Sequence, residues 1–114
     1  MADDERREAL SRATRALARA GYLDDARFAR DRAAHLAARG YGDEWIRGDL
    51  EAQGVPAEAV EPALDHLEPE RERAAREAAR MGGGLRAARS LARRGFSVES
   101  LEALVAQDPG AGVG

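Results

Sequence analysis

The chain has 114 residues, of which 34% are charged and 4% aromatic, and its net charge is −3. This length allows one small domain or a short array of helical units and excludes a second large domain. Alanine dominates the apolar fraction of 44%. Because alanine favours helix but buries little area, we expect amphipathic helices around thin cores.

The composition also excludes several kinds of site. There is no cysteine, so the chain can form neither a disulfide nor a thiolate metal site or nucleophile. The acidic N-terminus, MADDERREAL, does not resemble a signal peptide. No stretch approaches the roughly 18 apolar residues of a membrane span. We therefore expect a cytoplasmic protein with no membrane partner.

Charge is distributed unevenly along the chain. Residues 39–68 contain two arginines and eight acidic residues, whereas residues 71–94 contain eight arginines and two glutamates. Opposed charges in neighbouring segments can orient a partner even when the total charge is small.

Two helices are predicted before the first glycine-rich turn. The first covers residues 5–20, and Gly21 is expected to end it in a left-handed conformation. The second begins at once, with Asp24 and Asp25 accepting hydrogen bonds from the free amides of its first turn. Phe28 falls on its apolar stripe and is expected to face the core.

Glycines bound the next two predicted helices. The segment from Gly40 to Gly42 breaks the helical pattern after the second helix. A third helix then runs from residue 43 to a stop at Gly54, with Ile46 and Leu50 on its apolar face. A fourth opens at Pro56, since proline loses no internal hydrogen bond at a first helical position.

Three more helices complete the prediction. The fifth covers residues 70–80 and ends in three glycines, and the sixth covers residues 85–94 and stops at Gly95. Ser97 is expected to cap the seventh. Residues 108–114 are predicted to be a flexible tail.

The stop glycines reveal an internal repeat. Leu50 lies four residues before Gly54, as Leu91 does before Gly95, and an apolar residue follows each glycine, Phe96 in the second case. Single helices of this length are marginal alone, so neighbouring helices must supply the burial. The sequence therefore predicts an all-α fold of tandem three-helix repeats, an elongated helical array of about seven helices.

Three strings carry a family resemblance. GYLDDARFA joins Gly21, Tyr22, Leu23 and the paired acids to Phe28, and its apolar side chains are expected to pack. GYGDEWIRGDLEAQGV follows at residues 40–55, and LARRGFSVESLEAL at residues 91–104. In this order and spacing the strings resemble the successive signatures of the RecX family, and the resemblance covers roughly residues 10–105.

The resemblance implies a regulator without enzymatic activity. RecX proteins are tandem three-helix repeats that lie in the groove of the RecA nucleoprotein filament and inhibit its strand exchange, ATPase and co-protease activities. By resemblance, residues 1–22 are a remnant of the first repeat, residues 23–68 the second and residues 69–107 the third. The two helices expected before the remnant are missing, and the chain is mildly acidic where family members are often basic.

Four arginines form the first candidate contact surface. Arg86, Arg89 and Arg93 share one side of a predicted helix, with Arg94 beside them, and could bind carboxylates or phosphates of RecA or DNA. A solvated surface neutralised by the acidic residues 39–68 is an equal alternative.

Arg27, Arg30 and Arg47 are further candidate contacts with an acidic partner. Arg27 and Arg30 could instead pair with Asp24 and Asp31, and this alternative is slightly favoured.

Enzymatic interpretations find little support. His35 and His66 are far apart in sequence and match no metal-binding spacing, and no serine lies in a GxSxG context. We expect no cofactor, no metal and no small-molecule substrate, and a monomer that binds the RecA filament. The alternatives are a small arginine-rich DNA-binding module and a degenerate family member with weak binding.

Overall fold

The computed structural model describes residues 2–107, and within them it contains six α-helices and no strand. In chain order the helices are α1 Asp3–Ala38, α2 Asp43–Ala52, α3 Ala57–Asp65, α4 Glu70–Arg80, α5 Gly84–Arg93 and α6 Val98–Gln107. The all-α prediction is confirmed, with six helices in place of about seven. The predicted flexible tail lies outside the described residues.

The number of helices differs because α1 is a single helix of 36 residues where two helices were predicted. Gly21 lies inside it and has no positive φ, so its expected role as a helix stop is wrong. Asp24 and Asp25 lie in the interior of the same helix and do not cap a first turn. A glycine inside a helix costs about 1 kcal/mol, and the alanine, leucine and arginine residues around Gly21 are strong enough helix formers to offset it.

The helices form two three-helix units with separate cores. The first unit combines the C-terminal part of α1 with α2 and α3, and the second combines α4, α5 and α6. Ile46 and Leu50 are fully buried in the first core, and Leu91 is fully buried in the second. Alanines fill most of the remaining core positions, as the composition predicted.

Equivalent helix ends confirm the repeat. Gly54 and Gly95 have φ values of 86° and 88°. The residue after each glycine donates its N–H back to the leucine four residues before the glycine: Val55 to Leu50 at 3.0 Å and Phe96 to Leu91 at 3.1 Å. Gly40, with φ 93°, ends α1 in the same manner. A side chain is strained in this left-handed region, which is why a glycine follows the end of α1, α2 and α5.

Three side chains expected to pack are exposed. Tyr22, Leu23 and Phe28 lie on α1 and remain open to solvent, so the expectation that Phe28 faces the core is wrong. α2 and α3 have ten and nine residues and cover only the C-terminal part of the much longer α1. Almost all of residues 2–24 are exposed for the same reason.

The described chain is an elongated rod with extents of 79 × 19 × 17 Å. No helix within residues 2–107 combines the length and apolarity that crossing a bilayer requires.

Candidate interaction surface

The backbones of the two units are hydrogen-bonded to each other. The N–H of Gly42 donates to the carbonyl of Arg94 at 2.9 Å, and that of Glu44 to the carbonyl of Gly95 at 3.0 Å. The first amides of a helix have no partner inside it, so the turn that ends α5 satisfies a free donor at the start of α2. We call this contact the joint. It includes the side chains of Asp43, Glu70 and Arg73, which surround the two backbone hydrogen bonds.

Two glycines allow this close approach. A Cβ on Gly42 would lie 2.5 Å from the carbonyl carbon of Gly95, and a Cβ on Gly95 would lie 2.6 Å from the backbone nitrogen of Trp45. Both distances are shorter than side chains tolerate. The two backbones can therefore meet only where neither carries a side chain, and the joint fixes one unit against the other.

Glu70 binds both sides of the joint. One carboxylate oxygen accepts the N–H of Asp43 at 2.7 Å, and the other accepts the N–H of Ser97 at 3.1 Å and the hydroxyl of Ser100 at 2.7 Å. Burial opposes the charge on Glu70, but these hydrogen bonds outweigh it and lower its pKa. Ser97 also caps α6 as predicted, because its hydroxyl accepts the N–H of Ser100 at 3.2 Å.

Arg73 is the buried cation of the joint. It donates to the carbonyl of Glu68 at 2.9 Å and to that of Tyr41 at 3.2 Å, and it forms an ion pair with Asp43. Burial raises the pKa of Asp43, although the Arg73 charge works against this shift. Burying this charge costs desolvation energy, which the hydrogen bonds and the ion pair offset.

The roles of Asp43, Glu70 and Arg73 in the joint were not predicted from the sequence. Their hydrogen bonds connect residues about thirty positions apart, and no local sequence pattern predicts such bonds.

The predicted arginine cluster lies on the second unit. Arg86, Arg89 and Arg93 are exposed on α5, and none forms an ion pair with another residue of 2–107. Arg94 differs, since its guanidinium lies 3.8 Å from the carboxylate of Glu77 near the joint. The structure thus brings three of the four predicted arginines together as open donors.

The other predicted contacts divide in the same way. Arg27 and Arg30 are exposed on α1, and within the described part of the chain neither is paired with an acid. Arg47 donates to both carboxylate oxygens of Glu61, at 2.6 and 3.2 Å, and pairs with Glu44. These bonds raise the pKa of Arg47. A partner would have to displace two carboxylates to bind it.

The exposed arginines are the groups that this surface offers to a partner. Across residues 2–107, no set of three or more histidine, aspartate or glutamate side chains is arranged to hold a metal ion. What the surface offers is a fixed rod with guanidinium groups on its exterior, which recognise carboxylates and phosphates through paired hydrogen bonds.

The chain is similar to known regulatory proteins along most of its length. A family model described as RecX, second three-helix domain, matches residues 24–64. Two proteins named regulatory protein RecX, from Stenotrophomonas maltophilia strains R551-3 and K279a, are 35% and 33% identical to it. Each alignment spans 112 residues and covers 90% of this chain and 69% of the relative. The chain belongs to the RecX family.

The family match agrees with the architecture. Residues 24–64 comprise part of α1 with α2 and nearly all of α3, so the first unit is similar to the second three-helix domain of RecX. The RecX relatives are named as regulatory proteins and not as enzymes.

Proposed function

We propose that this RecX-family chain binds the RecA nucleoprotein filament and inhibits its recombinase, ATPase and co-protease activities, thereby modulating DNA repair and the SOS response. The observation that carries the proposal is the similarity to two regulatory RecX proteins over 90% of the chain. The proposal places the protein in the cytoplasm, where RecA acts on DNA.

The form of the molecule supports a steric mechanism. A rod 79 Å long is much longer than it is wide, and it can contact several subunits of a polymer at once. The joint holds the two units in one relative orientation, so little conformational entropy is lost when both bind. Lying along the filament, the chain would exclude a second DNA strand or a protein substrate without any chemistry of its own.

The exposed arginines are the proposed contacts. Arg86, Arg89 and Arg93 on α5, together with Arg27 and Arg30 on α1, would donate to acidic side chains of RecA or to phosphates of its DNA. Arg94 and Arg47 already bind carboxylates, so we leave them out of the proposed surface.

The test adds the protein to preformed RecA filaments on single-stranded DNA and follows ATP hydrolysis and strand exchange. We expect both rates to fall. The Arg86→Ala/Arg89→Ala/Arg93→Ala variant should need at least about 10-fold more protein for the same inhibition, since charge-assisted hydrogen bonds are lost. The matched control removes three exposed arginines of α1, Arg12, Arg15 and Arg19. Unchanged rates at saturating wild-type protein would refute the proposal.

A DNA-binding module is the second candidate, and the shared face of Arg86, Arg89 and Arg93 favours it. This candidate predicts binding to DNA without RecA, with an affinity that falls steeply as salt increases. Fluorescence anisotropy on labelled single- and double-stranded DNA distinguishes the two candidates, because a regulator that requires the filament stays unbound when RecA is absent.

A further inference from the structure

The N-terminal half of α1 projects from the first unit into solvent. Within it, residues 3–8 and 10–24 are all exposed, and Leu10 and Leu17 are 68% and 75% exposed. A helix in water gains most of its stability when one side of it packs against a partner. Large exposed apolar side chains on an unsupported helix therefore indicate a binding surface.

A seven-residue pattern runs along one side of this part of α1. Positions that recur at alternating steps of three and four residues form the contact line of a two-stranded coiled coil. We call this set of positions the seam, and in α1 it consists of Asp3, Arg6, Leu10, Ala13, Leu17, Ala20, Asp24 and Arg27. The seam lies nearly opposite the side of α1 that carries Ala29, Ala33 and Leu36, which are buried against α2 and α3.

The charges at the two ends of the seam are complementary when a second copy lies antiparallel. In one register Asp3 lies opposite Arg27 of the second copy, and Arg6 lies opposite Asp24 of the second copy. By symmetry each pair forms twice, so both ends of the contact are matched. All four side chains are exposed, and among residues 2–107 none of them forms an ion pair.

The same register matches the apolar side chains by size. Leu10 lies opposite Ala20 of the second copy, and Leu17 lies opposite Ala13 of the second copy. Each central layer therefore combines one large and one small side chain, which lets two helices pack closely. Leu23 borders the seam and is 51% exposed, so the same contact would partly cover it.

Other arrangements of two α1 helices fit less well. In a parallel pair each residue of the seam lies opposite itself, so all four of its charged residues would face a like charge. Shifting the antiparallel pair by seven residues in either direction places an arginine opposite a leucine, for example Arg6 opposite Leu17 of the second copy. Of these arrangements, the register described above is the one in which both the charges and the sizes agree.

We propose that the seam of α1 binds the seam of a second copy of this chain as an antiparallel, two-fold symmetric pair. The two copies contribute the same surface, so the contact closes with two chains and builds no longer polymer. The first unit leaves the seam open, because α2 and α3 pack on the other side of α1.

This association differs from the monomer expected from the sequence and does not depend on RecA. It would, however, use Arg27, which is also one of the proposed contacts with RecA. Pairing through α1 and binding to a filament would therefore compete for that side chain.

The experiment measures molar mass by sedimentation velocity over a series of protein concentrations up to about 1 mM. Two variants each reverse one charge of the seam, Arg6→Asp and Asp24→Arg, and a third variant carries both substitutions. The matched controls, Arg15→Asp and Glu8→Arg, make the same changes of charge on the opposite side of α1. All four positions are exposed, so circular dichroism should show unchanged helicity.

We expect wild type and both controls to form a dimer, and no larger species, as the concentration approaches about 1 mM. Each single reversal in the seam should associate at least about 10-fold more weakly, because like charges then meet at both ends of the contact. The variant with both substitutions should dimerise as wild type does, since positions 6 and 24 again carry opposite charges. An equal mixture of the two single variants should form a mixed dimer for the same reason.

Several results would overturn the proposal. A chain that stays monomeric at about 1 mM shows that the seam binds a different partner. Species larger than a dimer show an open contact in place of a closed one. Single reversals that dimerise like wild type indicate a parallel pair, in which like charges already face each other. A double variant as weak as the single ones, or controls that weaken association equally, would show that positions 6 and 24 do not meet.

Discussion

Glu70 is the residue at which the joint's hydrogen bonds converge. Its carboxylate accepts backbone N–H groups at the starts of α2 and α6, so one charge stabilises two helix N-termini that belong to different units. Glutamine has one carbonyl oxygen and, in place of the second carboxylate oxygen, an NH₂ group that donates, so substitution by glutamine should leave donors of the joint unsatisfied.

Glu70→Gln is expected to lower the free energy of unfolding by about 1–3 kcal/mol at neutral pH. The folded-state pKa of Glu70 is lowered from 4.5, so its stabilisation is complete above pH 4.5 and is lost as the pH falls through the lower value. The difference between wild type and variant should therefore shrink in acid. Urea unfolding at pH values from about 6 to about 3 measures this difference in the free energy of unfolding.

Asp43 also contributes to this difference. Its pKa is raised by burial and also by the charge of Glu70, so Glu70→Gln removes a repulsion between two carboxylates that partly offsets the lost hydrogen bonds at neutral pH. A difference that stays constant across the pH range would show that the charge of Glu70 is not what the joint uses.

At the scale of the helices, glycine acts in two opposite ways. Gly48 lies in the interior of α2 without a positive φ, whereas Gly54 ends the same helix with φ 86°. A Cβ at either position meets nothing within 4 Å. The backbone conformation alone distinguishes the two sites.

Alanine at these positions should have effects of opposite sign. Gly48→Ala is expected to raise the free energy of unfolding by about 0.5–1 kcal/mol, because glycine weakens a helix interior. Gly54→Ala is expected to lower it by about 1 kcal/mol or more, because a side chain is strained at that φ. Urea unfolding measures both variants, and each is the matched control for the other. Effects of the same sign would contradict Gly54 as the end of α2.

The two roles of glycine explain which helix ends could be predicted from the sequence. The spacing of leucines around Gly54 and Gly95 predicted two equivalent helix ends, and both are present. Gly21 follows Leu17 at the same spacing as those stop glycines follow their leucines, yet α1 continues through it. A local pattern does not distinguish a stop glycine from one tolerated inside a strong helix. Val55 and Phe96, which follow Gly54 and Gly95, are buried in the two cores, whereas no other part of the chain packs against Gly21.

The candidate surface was predictable only where it depends on helical periodicity. The shared side of Arg86, Arg89 and Arg93 follows from their spacing. The bonds that occupy Arg47 and the joint around Gly42 connect residues on different helices, and sequence spacing carries no information about them.

At the scale of the whole molecule, Gly42 determines whether two units behave as one rod. Its φ of −87° suits any residue, so a substitution leaves each unit's backbone unstrained, but an added Cβ would overlap the backbone of Gly95. The overlap therefore acts where the backbones of the two units meet, at Gly95 and Phe96.

Gly42→Ala is expected to lower the free energy of unfolding by about 2 kcal/mol, through steric overlap and lost hydrogen bonds between the units. Dilute small-angle scattering should also show a radius of gyration that differs from the one measured for wild type, whose Cα atoms give 20.6 Å. Gly48→Ala makes the same chemical change in open space and should leave the radius unaltered. If Gly42→Ala keeps the radius of gyration and the stability of wild type, the joint does not fix the two units against each other.

A regulator of this form must bind the filament itself, and co-sedimentation tests that most directly. RecA filaments assembled on single-stranded DNA with ATP are pelleted in the presence of increasing wild-type protein. We expect the chain to enter the pellet to a saturating ratio with RecA and to remain in the supernatant with DNA alone. A chain that stays in the supernatant when filaments are pelleted would contradict the proposed function.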